Sequence, residues 1–167
     1  MIAVIDDGGI ALRLVIAAAL GGLVGLEREY RDQPAGFRTH ILVATGACLF
    51  TLVSAYGFKE FETRSADDAM RADVTRIASQ VVVGIGFLGG GTILRYGGSV
   101  RGLTTAASLW VTAAVGLAIG AGFYVGAGVS VAIAIVSLAV FKPLSKRIAS
   151  RRHGDDEDSG RPDVEPD

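Results

Sequence analysis

The chain has 167 residues, half of them hydrophobic, with 16 Lys and Arg against 17 Asp and Glu. Such a near balance points to no nucleic-acid partner, and the positive mean hydropathy leaves no room for a large soluble domain. The single cysteine, Cys48, excludes an intrachain disulfide.

Charge speaks by position. Between Arg38 and Lys59 the only titratable side chains are His40, Cys48 and Tyr56. Between Arg76 and Arg95 there is none, and between Arg101 and Lys142 only Tyr124. An apolar run of about 18 residues or more crosses a ~30 Å hydrocarbon layer as a helix. Without water, the backbone must satisfy itself within each segment. The fold class expected is therefore all-α: a polytopic membrane bundle of five transmembrane helices over residues 8–141, then a short tail.

The first span lies between Asp7 and Glu27, with Arg13 snorkelling from one end. The N-terminus has no early Lys or Arg and no clear cleavage site, so we expect no cleaved signal peptide. The second span is His40 to Tyr56, and the third is Ile77 to Leu94. Leu103 to Phe141 would reach roughly 60 Å as one helix, about twice the core thickness. Gly120-Ala121-Gly122 is the natural turn that splits it, with Phe123 and Tyr124 at an interface. Arg28, Arg31, Arg38, Arg95, Arg101 and the basic tail fall on one side, which the positive-inside rule makes cytoplasmic. The N-terminus is then outside and the C-terminus inside. Residues 142–167, basic then acidic, are expected to be a disordered, solvated cytoplasmic tail.

Gly84-Ile85-Gly86-Phe87-Leu88-Gly89 spells GxGxxG, but it sits in an apolar span with no following acidic residue. We reject a dinucleotide site there. Glycine also lets helices approach closely, and Gly86/Gly90, Gly21/Gly25 and Gly116/Gly120 are in GxxxG register. Gly84, Gly86, Gly89 and Gly90 admit two readings: tight packing in a bundle or homo-oligomer, or a weakened helix that opens a path.

Glu27-Arg28-Glu29 ends the first span as a charged stop, or as Glu27 and Arg28 pairing with neighbouring helices. Arg38 and His40 open the second span; His40 is amphipathic filler or a proton relay. Ser65 to Asp68 resembles a capping box, and Asp73 and Arg76 share a helical face as an ion pair. Thr104 or Thr105 is expected to cap the fourth span. Arg95 and Arg101 flank that start, placed there by topology or by an anion. Trp110, deep in the fourth span, is expected between helices. Ser54, Ser108 and Ser130 stand as isolated hydroxyls with no base in sight. No metal cluster, cofactor motif or catalytic set appears, and we expect no enzyme.

Gly25-Leu26-Glu27-Arg28-Glu29 followed by Ala35-Gly36-Phe37-Arg38-Thr39-His40 resembles the start of the MgtC/SapB membrane protein family. Two more blocks strengthen the likeness: Asp73-Val74-Thr75-Arg76-Ile77-Ala78 running into Gly84–Gly89, and Gly102-Leu103-Thr104-Thr105 running into Trp110. The resemblance covers Leu14 to Phe141; Gly90 stands where alanine is expected, and the soluble C-terminal domain of longer members has no counterpart.

The resemblance implies a bacterial inner-membrane protein linked to magnesium homeostasis and, in pathogens, to virulence. It implies a regulator of other membrane machinery, such as the ATP synthase, or else a small Mg²⁺ or proton transporter. Mg²⁺ wants hard oxygen ligands and sheds water reluctantly. Spans two to five hold no carboxylate, which disfavours autonomous Mg²⁺ transport.

Overall fold

The computed structural model describes residues 5–57 and 74–139. Helix α1 spans Asp7–Tyr30, where the Asp6 side chain accepts from the Gly9 amide at 3.0 Å and caps the free N-terminus. It stops at Arg31, where Asp32 turns to a positive φ of 51° and Pro34 follows. Helix α2 spans Phe37–Leu52 and passes into a π turn at Val53–Gly57. Helix α3 spans Val74–Gly91. A hairpin of β1, Leu94–Tyr96, and β2, Ser99–Arg101, turns through Gly97 and Gly98. Helix α4 spans Leu103–Gly120, and α5 spans Tyr124–Ala139. The chain divides into two compact units, Met1–Ile135 and Val136–Asp167. Of the second, residues 136–139 are described and are helical.

The helices expected from the apolar runs are present with shifted ends. The first continues past Glu27 to Tyr30, its backbone ladder closing where the Arg31 amide donates to the Arg28 carbonyl. The third stops at Gly91, three residues before Leu94. There Thr92 folds back, its hydroxyl donating to the Gly89 carbonyl at 2.7 Å, and the hairpin begins. The turn after α4 falls at Gly120-Ala121-Gly122 as expected. Gly122 has φ +83°, Gly122 N donates to Ile119 O and Phe123 N to Ala118 O, which is a Schellman stop.

Three of these helices are long and apolar enough to cross a membrane: Asp7–Tyr30, Phe37–Gly57 and Leu103–Gly120. Ser79–Gly91 and Tyr124–Ala139 are shorter apolar helices, so the count of five full crossings is not reached among the described residues.

Packing in the first unit runs on small residues. Ala17, Ala44, Ala47, Cys48 and Ala113 are buried, while Leu12, Val15, Phe50, Phe87 and Val125 face outward. Gly21 meets Ala44 and the His40 carbonyl, and Gly25 meets Phe37. Gly116 lies on the Ala44 carbonyl, and Gly120 on Cys48 and Thr51. A β-carbon at any of these positions would displace a neighbour's backbone or β-carbon, so α1, α2 and α4 touch at backbone distance. The exposed Trp110 (51%) corrects its expected place between helices: the seam is too narrow for an indole.

Candidate functional site

The end of α1, the start of α2 and the start of α4 converge on a polar cluster. Arg28 is buried to 1% exposure. Its Nε lies 3.1 Å from Glu27 Oε2, and the other Glu27 oxygen pairs with Arg31 one turn on. Glu27 and Arg28 admit two readings, a charged stop or pairing with neighbouring helices; the ion pairs seen lie along α1 itself. The Glu27–Arg28 contact balances charge without hydrogen-bond geometry, and among the described residues Arg28 Nη1 has no hydrogen-bond partner. A buried guanidinium in this condition is costly, and it is held by the surrounding packing.

The neighbouring Glu29 does bridge two helices. Its Oε2 accepts from the Phe37 amide at 2.9 Å, satisfying the first turn of α2 across the loop. Gly36 leaves room for this, since a β-carbon there would collide with that carboxylate. Gln33 Nε2 donates to the Arg31 carbonyl at 2.8 Å and tightens the same turn.

His40 is fully buried. Its Nδ1 lies 2.9 Å from the Gly36 carbonyl and its Nε2 lies 3.2 Å from Ser108 Oγ on α4. Ser108 Oγ donates to the Thr105 carbonyl at 2.9 Å, and Thr112 Oγ1 donates to the Ser108 carbonyl at 2.8 Å. This corrects two expectations. The histidine is not interfacial filler, and Ser108 is not isolated from a base. Sequence distance hid the pair, because 68 residues separate them. The periodicity of His40, Ala44, Ala47 and Thr51 on one face of α2 was the available signal.

Thr105 is buried in this cluster, while Arg38 and Thr104 are exposed. Neither threonine caps α4. The cap is Gly102 at φ +87°, with no side-chain hydrogen bond, because a β-carbon there would strike the Thr92 carbonyl. Arg95 pairs across the hairpin with Val100, and Arg101 with Leu94. Consecutive cross-strand pairs point to opposite faces, so the two arginines do not converge on an anion. Arg76 is exposed at the start of α3; Asp73, and with it the Asp73–Arg76 pair, lies outside the described residues, as do Ser65 to Asp68 and the tail.

At the opposite end of the unit, Arg13 joins α1 to the α4–α5 turn. Its Nη1 donates to the Gly120 carbonyl at 2.6 Å and its Nε to Tyr124 Oη at 3.1 Å, with the rings of Tyr56 and Tyr124 both 6.0 Å away. The arginine expected to snorkel is held by protein groups.

The α3 glycines divide. Gly89 packs on Ala106 in ordinary contact. Gly84, Gly86 and Gly90 have open space where a side chain would be. Gly84 borders an apolar cavity of about 510 Å³ between α2, α3 and α4, with Gln80 its one amide side chain. Among the described residues, no three His, Cys, Asp or Glu side chains come together to hold a metal ion.

The pattern of the MgtC family matches residues 14–147. "Putative magnesium transporter YhiD" of Escherichia coli (strain K12) is 42% identical over 142 residues, which is 85% of this chain and 65% of that protein. "Protein MgtC" of Brucella abortus (strain 2308) is 45% identical over 128 residues, 77% of this chain and 49% of that protein. "Uncharacterized protein slr0014" of Synechocystis is 42% identical over 134 residues, 80% of this chain and 53% of that protein. The chain therefore spans about half to two thirds of the length of these curated relatives. No solved structure matches it at a significant level. With the motifs around Glu27, His40 and Ser108 inside the matched region, the chain belongs to the MgtC family.

Proposed function

We propose that this chain is a non-enzymatic protein of the bacterial inner membrane that supports adaptation to low magnesium by regulating other membrane machinery. Its described helices all cross or enter the bilayer, with the Glu27–His40–Ser108 end facing the cytoplasm. One observation carries the regulatory reading over transport. Ala44, fully buried, is clasped between Gly21 on α1 and Gly116 on α4. This contact closes the seam between the polar cluster at one end and the Arg13–Tyr56–Tyr124 group at the other. Mg²⁺ needs oxygen ligands or its own water along any route, and a seam at backbone distance offers space for neither. The outward-facing large apolar side chains fit a lipid surround, where burial of bulk inside the protein brings little gain. The name of YhiD supports the link to magnesium.

The alternative is a small Mg²⁺ or proton pathway along the open glycines of α3, and the cavity beside Gly84 is what favours it. Two measurements decide. In a strain lacking its own family member, the wild-type chain is expected to restore growth in low magnesium, and Arg28→Gln is expected to insert normally yet lose at least tenfold in rescue. Normal rescue by the variant overturns the site assignment. Purified protein in liposomes is expected to give no saturable Mg²⁺ or proton flux, and such flux would replace regulation with transport. Co-purification of a membrane complex, the ATP synthase among the candidates, is the expected partner result.

A further inference from the structure

A buried neutral imidazole offers one donor and one acceptor. The surroundings of His40 ask for something else. The Gly36 carbonyl, 2.9 Å from Nδ1, can only accept, so Nδ1 carries a hydrogen. In the neutral ring, Nε2 is then a bare acceptor facing Ser108 Oγ at 3.2 Å. That hydroxyl has one hydrogen and two claims on it, Nε2 and the Thr105 carbonyl at 2.9 Å. If it turns to Nε2, the Thr105 contact is lost. If it keeps Thr105, two lone pairs face each other inside the protein. A second ring hydrogen removes the conflict. Nδ1–H then donates to Gly36 O, Nε2–H to Ser108 Oγ, and Oγ–H to Thr105 O.

We propose that His40 is a proton-binding site that ties the first turn of α2 to α4 through Ser108. One proton from bulk water forms the Nε2–H bond, the ring gains one positive charge, and no other covalent bond changes. Burial of the ring opposes the added charge most, and the Gly36 carbonyl favours it. From α1 the charged groups facing the ring are Arg28, which opposes it, and Glu27, which favours it. Arg31 shares the Glu27 charge. From α4 the neighbours are the uncharged Ser108 and Thr105. The described part of α3 carries no titratable side chain beyond Arg76, which is exposed at its far end. Proton uptake thus locks the α1–α2 loop, already clamped by Glu29 on Phe37, to the start of α4. The α2–α4 seam continues from there to Gly116.

The proposal does not rest on the regulatory reading, and a failed growth rescue leaves it standing. The test uses the full chain in bilayer nanodiscs. His153→Gln makes His40 the sole imidazole of the two histidines in the sequence. Nitrogen NMR of isotope-labelled histidine is followed between about pH 5 and pH 8, where imidazoles titrate. The expected result is one reversible transition whose neutral form is the Nδ1–H tautomer. Ser108→Ala is expected to lower its midpoint by about one pH unit, tenfold in proton affinity, through loss of one charge-assisted hydrogen bond. Ser108→Thr keeps the hydroxyl and should restore the midpoint. Absence of a transition, an Nε2–H tautomer in the neutral form, or a midpoint indifferent to Ser108→Ala each overturns the proposal. The tautomer is read on the His153→Gln chain, so the test survives a Ser108 variant that does not fold.

Discussion

At Gly21 and Gly116 a single hydrogen is all that the neighbouring helix leaves room for. A β-carbon at Gly21 would lie 2.7 Å from the His40 carbonyl oxygen, and one at Gly116 would press on the Ala44 carbonyl. These are backbone atoms, which cannot swing aside as a side-chain end can. Gly21→Ala and Gly116→Ala are therefore expected to destabilise the folded protein by about 1–3 kcal/mol each, the usual cost of overpacking. Gly86→Ala and Gly90→Ala meet open space and should leave the thermal midpoint unchanged. Thermal unfolding in one detergent, followed by circular dichroism, compares the four. The GxxxG spacing is the same in all three pairs, so spacing alone could not distinguish a filled helix seam from an open one. The neighbour decides that, and the neighbour is a tertiary fact.

At the scale of elements, two contacts set how the helices begin and end. Glu29 supplies the acceptor that α2 lacks in its own cap residue, Gly36. Glu29→Ala should cost about 1 kcal/mol, as loss of a helix cap does, while Glu29→Gln keeps an acceptor and should cost less. Arg13 binds the last carbonyl of α4 and the Tyr124 hydroxyl together. Lysine has neither the planar fork nor the reach for both, so Arg13→Lys should loosen the α4–α5 turn. Faster proteolysis at Ala121–Phe123 would register it; unchanged cleavage would show that Tyr124 and Gly122 hold the turn without Arg13. The helix runs and the Gly120–Gly122 turn were legible from apolar length and glycine. The caps were not, since a cap can come from eight residues away, as Glu29 does for Phe37.

For the whole molecule, the contacts sort into two ends. Gly25 with Phe37 and His40 with Ser108 mark one, and Arg13 with Gly120 and Tyr124 mark the other. Chain direction therefore alternates between α1 and α2 and runs the same way in α2 and α4. If this unit crosses a membrane, the hairpin and the α4–α5 turn face opposite sides. In a Cys48→Ala background, Gly98→Cys should react with an impermeant thiol reagent only from the cytoplasmic side and Ala121→Cys only from the outer side. Labelling of both from one side would overturn the sidedness assigned to the polar cluster.

Apolar length and the position of charge already pointed to a mostly helical chain and to the Gly120–Gly122 turn, and short motifs pointed to the MgtC family, because these signals act locally along the chain; the hairpin Leu94–Arg101 lay outside the all-α expectation. Which glycines meet a partner, that Glu29 caps α2, and that His40 reaches Ser108 were settled only when the helices packed. Hydrogen bonds and steric contact depend on distances of a few ångströms between residues far apart in the chain, and no local pattern encodes them.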